Sequence, residues 1–483
     1  MRRTIITFFV VATGVWLNLA IPPFQNPDEP QHFAAAVGFA QQGDARQGDH
    51  AGLIRFMDRN HWWRFIGIGR ADPLPERLEQ IDFLMGYYSV KDFTLHLNDV
   101  LAFHYMTSRV MRVAARSRVD RAYYIARLIS FLFFIGALWI VSGAFWKTTG
   151  SDQNPERSAW TAAGFYIILF LPQFLLTSIS VNPDTVSIFL GTLFFAAGFT
   201  LVRNERIVSA FIALFAIAIL GAILDRSNYF MLPACGLAVF FSFTRKTVRR
   251  TAWLCVGFVG ILASSLLAAR FLFPGIWEKM IYFGRANLPH GDTSLPALFS
   301  FDALNKAFFL GITDSFLIKF GWSAFSVSPV FYPLWRTLIG IAILGIAVLF
   351  SRIIFKKRRP ARPKDTEPTP ILAQSRERSL SNGRLIGFSL SAIVLQIMAV
   401  RMITTQRNLY AQGRYLFPLI LPIAILLIVG WKYFFDSFDR KKRLGAIAVK
   451  IFVLLEFLFL NYAIWNDVIP VFHITLRSPH PGA

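Results

Sequence analysis

Long apolar runs alternate with short polar connections along most of this chain. About eleven runs are long and apolar enough to cross a bilayer as helices, because roughly 20 residues span its hydrocarbon core. The predicted spans are Thr4–Ile21, Ala122–Trp146, Ala159–Ser178, Thr185–Val202, Ile207–Leu224, Tyr229–Phe243, Ala252–Phe273, Phe331–Phe355, Leu385–Ile403, Tyr415–Tyr433 and Leu444–Trp465. The pattern therefore predicts an all-α, polytopic transmembrane protein. We expect the first run to be retained as a span, because Ile21-Pro22-Pro23 follows it rather than a small-residue cleavage site.

Basic residues are concentrated in alternate connections between these spans, which predicts the orientation of the chain. With the N-terminus inside, the basic residues of the cytoplasmic connections are Arg203 and Arg206; Arg245, Lys246, Arg249 and Arg250; residues 356–359 with Arg362 and Lys364; and residues 440–443. The short connections on the other side carry few charges, namely Asp184, Asp225, Arg226 and Arg407. Since positive charge accumulates in cytoplasmic loops, we expect the N-terminus inside and the C-terminus outside.

Three longer segments complete the predicted organisation of a transmembrane domain over residues 1–433. Residues 22–121 form a large first outer loop, and residues 274–330 form a second. Residues 356–384 are rich in proline and charge, which is typical of a disordered cytoplasmic linker. Residues 434–483 then hold a basic cytoplasmic loop, the last span and an outer tail.

The overall composition supports a membrane protein and argues against a nucleic-acid partner. Hydrophobic residues make up 55% of the 483 positions, and the mean hydropathy is +0.48. A net charge of +22 is explained by positive cytoplasmic loops, so no nucleic acid is implied. Cys235 and Cys255 lie within apolar spans, where we expect neither a disulfide nor a metal site.

The unusual polar residues all fall on the predicted outer side. One group lies just after the first span and another just before the eighth span. The others lie in the connections between the third and fourth, the fifth and sixth, and the ninth and tenth spans. The candidate site residues among them are Asp28, Glu29, His32, Asn182, Asp184, Arg226, Trp322, Arg407, Arg414 and Tyr415. Convergence of such residues on one face predicts an active or binding site there.

Asp28 and Glu29 are the candidates for catalysis. The alternative is that Asp28 caps a helix running from Pro30 to about Gln42, with proline in its first turn. A carboxylate at the membrane boundary is also suited to act as a general base, and the outer convergence favours that role. His32, alone, is more often structural than a ligand.

The other candidates have structural alternatives of their own. Asp184 in Asn182-Pro183-Asp184 also fits a turn and helix cap, and Arg226 also fits an ion pair with its neighbour. Trp322 also fits an interfacial anchor, and Arg414 also fits snorkelling to the membrane surface. Beside Gly413, however, the Arg414 guanidinium is suited to hold a phosphate, and Arg407 lies close enough in sequence to help.

Arginines at helical spacing mark the end of the first outer loop. Arg109, Arg112 and Arg116 share one face beside Val110 and Val113. This pattern predicts a helix on the membrane surface whose arginines reach lipid headgroups.

Several of these motifs, in this order, resemble one family. They are Pro27-Asp28-Glu29-Pro30-Gln31-His32, Arg127-Leu128-Ile129-Ser130, Asn182-Pro183-Asp184, Gly321-Trp322 and Gly413-Arg414-Tyr415-Leu416-Phe417-Pro418. Together they resemble the bacterial membrane proteins grouped as domain of unknown function 2142, over about Thr4 to Tyr433. That family resembles the GT-C glycosyltransferases, which are integral membrane enzymes using polyprenyl-phosphate-linked sugars.

The resemblance implies a catalytic Asp or Glu on the first outer loop, matching Asp28 and Glu29. It also implies two juxtamembrane helices in that loop, for which Pro30–Gln42 and Thr107–Val119 are the candidates. The chain departs from its relatives before the second span, where Phe103-His104-Tyr105 replaces a proline-rich segment that contains tyrosine.

These expectations lead to a membrane glycosyltransferase hypothesis. The chain would lie in the cytoplasmic (inner) membrane and transfer a sugar from a polyprenyl-phosphate donor to an envelope glycan or lipid acceptor on the outer face. The residues indicate no cofactor with certainty, and a divalent ion held by Asp28, Glu29 and His32 stays open. The alternatives are a transporter or flippase of lipid-linked saccharides, and a non-enzymatic partner in polysaccharide assembly.

Overall fold

The computed structural model describes residues 2–21, 23, 29–41, 50–59, 101–114, 119–149, 171–203, 207–224, 228, 230–242, 256–257, 260, 306–317, 328–357, 370–407, 412–438 and 443–468. These residues form helices and the turns that join them, and no strand occurs among them. The prediction of an all-α chain is therefore confirmed for the part that is described.

Fourteen α-helices are described, with one 3-10 helix and a terminal π-helical turn. The helices are α1 (Arg2–Ala20), α2 (Glu29–Gln41), α3 (His50–Arg59), α4 (Leu101–Ala114), α5 (Val119–Thr149), α6 (Pro172–Ser178), α7 (Asp184–Val202), α8 (Ile207–Leu224), α9 (Met231–Ser242), α10 (Lys306–Leu317), α11 (Phe331–Lys357), α12 (Pro370–Arg407), α13 (Ile420–Phe438) and α14 (Arg443–Tyr462). The 3-10 helix Gly413–Leu419 leads directly into α13, and the π turn Ala463–Val468 follows α14.

Within the described residues, five helical stretches are long and apolar enough to cross a membrane by length and composition. They are Arg121–Ala144, Asp184–Val202, Phe331–Arg352, Gly383–Arg401 and Gly413–Phe438. Shorter apolar helices, including Ile207–Gly221 and Met231–Ser242, lie at other predicted spans. These helices support a multi-pass membrane protein, while the number of eleven spans and the orientation of the termini stay predictions.

The predicted linker at residues 356–384 is helical at both of its ends. Helix α11 continues to Lys357, and α12 begins at Pro370 and runs for 38 residues. The prediction of disorder is therefore wrong for residues 370–384. Proline is well placed in a first helical turn, and the Leu, Ala, Gln, Arg and Glu residues that follow are good helix formers.

The two predicted juxtamembrane helices are both present, with shifted bounds. Helix α2 begins one residue earlier than Pro30, and α4 begins six residues before Thr107. Two helices within the segments predicted to be outer loops, α3 and α10, were not predicted.

Helix α7 lies at the centre of the described bundle. It packs against α5, α8, α9 and the 3-10 helix. Gly191 of α7 lies so close to the backbone of Pro418 that a Cβ atom there would collide with it. This close approach brings the start of α7 and the 3-10 helix to the same end of the bundle.

Small residues also join α11 to α13. A Cβ atom on Gly345 would collide with the Gly430 backbone, and one on Gly430 would collide with the backbone of Ala342. The Trp431 indole Nε1 donates to the Leu338 carbonyl at 2.7 Å. Because apolar lipid provides no drive to bury apolar faces, close packing of this kind is what holds transmembrane helices together.

Candidate functional site

Glu29 stands at the start of α2 and is completely buried. Its Oε1 accepts a hydrogen bond from Arg127 Nε at 3.1 Å and a second from the Val181 backbone N–H at 2.9 Å. Its Oε2 lies 3.4 Å from Arg127 Nη2, which also donates to it. The carboxylate is therefore held from two sides, by a guanidinium and by the connection that precedes α7.

Arg127 lies on α5 and is as deeply buried as Glu29. Besides the carboxylate, its Nη1 donates to the Asn18 carbonyl at 3.2 Å and the Ile21 carbonyl at 3.0 Å. Both carbonyls belong to the C-terminal end of α1, where carbonyls lack a partner within the helix. The guanidinium carbon also lies 4.7 Å from the centre of the Tyr123 ring. One side chain therefore joins α1, α2 and α5.

The connection that holds Glu29 continues directly into a tight turn. Asn182 is 2% exposed, and its Oδ1 accepts a hydrogen bond from the Asp184 backbone N–H at 2.8 Å. Its carbonyl accepts another from the Thr185 hydroxyl at 2.9 Å. This turn places Asp184 in the first turn of α7, where a carboxylate is favoured by the helix dipole.

Asp184 forms an ion pair with Arg414, with Oδ2 lying 3.5 Å from Nη1. The side chains are 18% and 9% exposed, so the pair is mostly buried but reaches the surface. The Arg414 guanidinium also lies 5.4 Å from the centre of the Tyr415 ring. The connection that precedes α7 and the Gly-Arg-Tyr segment therefore meet.

Gly413 is required by the helix that packs behind this segment. A Cβ atom there would collide with backbone atoms of Ile312 and Phe316 in α10. The Gly413 N–H donates to the Ser315 hydroxyl at 2.7 Å, and the Tyr415 carbonyl accepts from Gln396 Nε2 at 2.7 Å. The backbone around Arg414 is therefore anchored by α10 and α12.

His32 of α2 contacts His104 of α4. Their Nδ1 and Nε2 atoms are 3.1 Å apart, and the rings stack with centres 5.3 Å apart. His104 is fully buried. The pair joins the two juxtamembrane helices at the point where the sequence departs from the family it resembles.

The structure describes some of the predicted site residues and not others. Glu29 and the Asn182–Asp184 turn are joined through Val181, and Asp184 is joined to Arg414 and, beside it, Tyr415. Three of the predicted site residues lie outside the described residues: Asp28, Arg226 and Trp322. Arg407 ends α12, and its side chain also lies outside the description.

Sequence reasoning gave no role to several residues that build this region. Arg127 was recognised only as the first residue of the Arg-Leu-Ile-Ser motif, although an arginine within a predicted span indicates a buried partner. His104 was noticed only as a departure from the family, and Ser315 and the Val181 N–H carried no signal, since their contacts depend on tertiary packing.

Two of the three predicted metal ligands contact other groups of the protein. Glu29 is engaged by Arg127 and Val181, and His32 contacts His104. Within the described ranges, no group of three or more His, Cys, Asp or Glu side chains is arranged to hold a metal ion. Asp28 lies outside those ranges, so an ion held by Asp28, Glu29 and His32 stays a prediction.

No family model and no curated protein matches the chain. Among solved structures, it is similar to the crystal structure of ArnT from Cupriavidus metallidurans in the apo state, with 13% sequence identity and a TM-score of 0.34. The similarity covers 88% of this chain and 77% of that one. At this identity and TM-score, it assigns neither a fold nor an activity to the chain. The resemblance to domain of unknown function 2142 rests on the motifs quoted above.

Proposed function

We propose that this protein is a GT-C-like membrane glycosyltransferase that transfers a sugar from a polyprenyl-phosphate-linked donor. The acceptor is an envelope glycan or lipid, and the reaction takes place at the outer face of the cytoplasmic membrane. The proposal rests on the motifs in the sequence together with the contacts of the described residues.

One observation carries the proposal. The buried Glu29 carboxylate ties the start of α2 to Val181, which lies three residues before Asp184, and Asp184 pairs with Arg414. Asp28 immediately precedes Glu29 in the chain. Asp28 is the candidate base, and Arg414 is the candidate phosphate ligand. The segments that contain them are thus connected through the contacts of Glu29 and Asp184.

The roles of the two adjacent acids follow from the contacts of Glu29. A general base must exchange a proton with substrate, whereas Glu29 is fully buried and engaged by Arg127 and Val181. We therefore assign the base to Asp28 and give Glu29 the task of holding the segment in position. This assignment departs from the expectation that both acids take part in chemistry.

The proposed reaction is a single inverting displacement. The Asp28 carboxylate takes the proton of an acceptor hydroxyl as its oxygen attacks the anomeric carbon of the sugar. The new carbon–oxygen bond forms as the bond to the lipid phosphate breaks, and the electron pair leaves with that phosphate. No co-reactant is needed.

Arg414 is the proposed ligand of the leaving phosphate. A guanidinium is always charged and matches two phosphate oxygens at once, which stabilises negative charge developing on the leaving group. Its Nη1 lies 3.5 Å from Asp184 Oδ2, so the guanidinium stands beside the turn whose preceding residue, Val181, contacts Glu29. Arg226 and Arg407 are further candidates for the same phosphate, and Trp322 and Tyr415 for the sugar.

The experiment measures release of polyprenyl phosphate by purified protein in detergent. A membrane extract of the native cells, in which the polyprenyl chains carry tritium, supplies donor and acceptor. We expect Asp28→Asn to abolish release while the variant inserts and unfolds like the wild type. The matched control is Asp58→Asn, a carboxylate of α3 in the same outer loop, for which we expect unchanged release.

The outcome separates the three functional classes. Equal release by Asp28→Asn and the wild type would remove the catalytic assignment. A wild type that releases nothing in detergent, where no gradient exists, yet moves labelled lipid across vesicles would be a transporter. If Asp28→Ala leaves envelope glycans unchanged in cells, a non-enzymatic assembly role is favoured.

A further inference from the structure

Exposed arginines surround the N-terminal end of α5. Helix α3 presents two, α4 presents two, and one begins the apolar stretch of α5 itself. They are Arg55, Arg59, Arg109, Arg112 and Arg121, and all five are exposed. Helices α3 and α4 both pack on α5, so the five residues belong to elements that meet at one end of a membrane-spanning helix. We call these five arginines the basic surface.

Among the described side chains, little negative charge compensates the basic surface. Asp58 is the carboxylate that α3 contributes among the described residues, and it is only half-buried. Glu29, the acid of α2, is buried against Arg127 and offers nothing to the surface. The described side chains therefore create a positive field at this end of the bundle.

Apolar side chains are interleaved with the arginines. Val113 is 81% exposed, Val110 is 43% exposed and Tyr105 is 48% exposed, all on α4. The Arg109 guanidinium lies over the Tyr105 ring at 4.7 Å, and that of Arg59 lies 6.0 Å from the Phe56 ring. A helix that exposes arginine beside valine and tyrosine suits a lipid interface better than a purely polar polysaccharide.

The depth of the basic surface also fits a headgroup layer. Arg121 begins the apolar stretch Arg121–Ala144, and α4 contacts both α5 and α8. The candidate site lies deeper, because Arg127 is six residues further along α5, about 9 Å at the helical rise. The arginines thus stand at the membrane boundary, just outside the buried Glu29–Arg127 pair.

We propose that the basic surface binds the anionic phospholipid headgroups of the leaflet in which the candidate site lies. The partner is a bilayer surface that carries net negative charge, such as one containing phosphatidylglycerol. Binding there holds α3 and α4 against the bilayer next to α2. The inference stands on charge, exposure and placement, and does not depend on the proposed reaction.

The experiment compares two tail-labelled fluorescent lipids, phosphatidylglycerol and phosphatidylcholine with the same label, by anisotropy in an uncharged detergent. We expect the wild type to prefer phosphatidylglycerol. The variant Arg55→Gln/Arg59→Gln/Arg109→Gln should lose that preference by about fivefold for each arginine removed, as the attraction of one basic residue to an anionic surface implies. Arg112 is left in place because its Nε donates to the Ala40 carbonyl at the end of α2.

The matched control keeps the charge and removes the guanidinium shape. We expect Arg55→Lys/Arg59→Lys/Arg109→Lys to retain the preference, since a diffuse surface attraction depends on charge, whereas a fitted phosphate site would be lost with lysine. Raising the salt concentration should weaken phosphatidylglycerol binding by the wild type. This measurement uses the wild type alone and so does not require that a variant folds.

Two results would overturn the proposal. One is equal binding of both lipids by the wild type at low salt. The other is unchanged preference in a glutamine variant that elutes and unfolds like the wild type. If heparin, a soluble polyanionic saccharide, binds the wild type while neither lipid is preferred, the basic surface serves an acidic glycan instead of the membrane.

Discussion

Replacing Arg127 by methionine should be among the most damaging single changes in the described part of the chain. Arg127→Met removes the donors to both Glu29 oxygens and to two carbonyls at the end of α1. It leaves a buried carboxylate whose remaining contact in the described structure is the Val181 N–H. Breaking a buried ion pair from one side costs about 3–5 kcal/mol, and we expect a loss of that size.

Replacing Glu29 should lower the free energy of unfolding by less than replacing Arg127 does. Replacing both residues should lower it by less than the sum of the two single effects. In Glu29→Gln the amide oxygen still accepts from Val181, and Arg127 keeps its two carbonyls. Losing the charge of one partner then costs about 1.5–3 kcal/mol. The double variant Glu29→Gln/Arg127→Met leaves no buried charge unpaired, so we expect a coupling energy of about 1–3 kcal/mol.

The assay is equilibrium unfolding of the purified protein in mixed detergent micelles, with the fluorescence of its 12 tryptophans as the signal. A matched control is the pair Asp314–Arg336, whose Oδ2–Nη2 distance is 2.5 Å but whose side chains are 19% and 35% exposed. Since solvent screens that pair, Asp314→Asn should cost about 1 kcal/mol or less. The Glu29–Arg127 pair differs from this control in its burial and in the further hydrogen bonds of both side chains, so a larger loss is expected from it.

Two results would refute this account of the Glu29–Arg127 pair. The first is an Arg127→Met variant within about 1 kcal/mol of the wild type, which would mean that the buried charge finds another partner at little cost. The second is strict additivity of the two single changes, which would mean that the side chains do not interact in the protein.

Further changes test other contacts by the same unfolding assay. Gly413→Ala places a Cβ atom against the backbone of α10 and should lower the free energy of unfolding by about 1–3 kcal/mol. The control Gly340→Ala adds a Cβ atom in open space on α11 and should be neutral or stabilising. Equal effects of the two changes would contradict the close approach at Gly413. His104→Phe keeps the ring but loses the nitrogen contact with His32, which should cost about 1 kcal/mol; a more stable variant would show that the contact is unfavourable. Trp431→Phe removes an indole donor to a backbone carbonyl of α11 and should cost about 1–3 kcal/mol, and no loss would show that the bond contributes nothing.

Parts of the candidate site were predictable because they depend on topology. Alternation of apolar runs and the distribution of basic residues placed Glu29, Asp184 and Arg414 on one side of a membrane before any contact was known. Their connection through Val181 and the 3.5 Å ion pair agrees with that placement. The helical spacing of Arg109 and Arg112 likewise predicted the exposed face of α4.

The burial of Glu29, one of two adjacent carboxylates in the sequence, was not predictable in the same way. Asp28 and Glu29 are alike in sequence, and a capping or catalytic role fitted either. Only the packing of α1, α2 and α5 buries Glu29 against Arg127, because that contact joins residues 98 positions apart. The helical start of α12 at Pro370 was also missed, since proline and charge favour both a linker and a helix N-terminus.

The sequence by itself determined that this chain is helical, apolar and organised around polar residues on one predicted face. These properties follow from hydrophobic periodicity and charge, which act locally or through the bilayer. Tertiary structure alone decided which polar residues pair, because buried charges are stable only where distant segments supply partners. The segment after the first span therefore appears in sequence as two equivalent acids, whereas in the folded protein Glu29 is buried and paired with Arg127, next in sequence to the proposed base, Asp28.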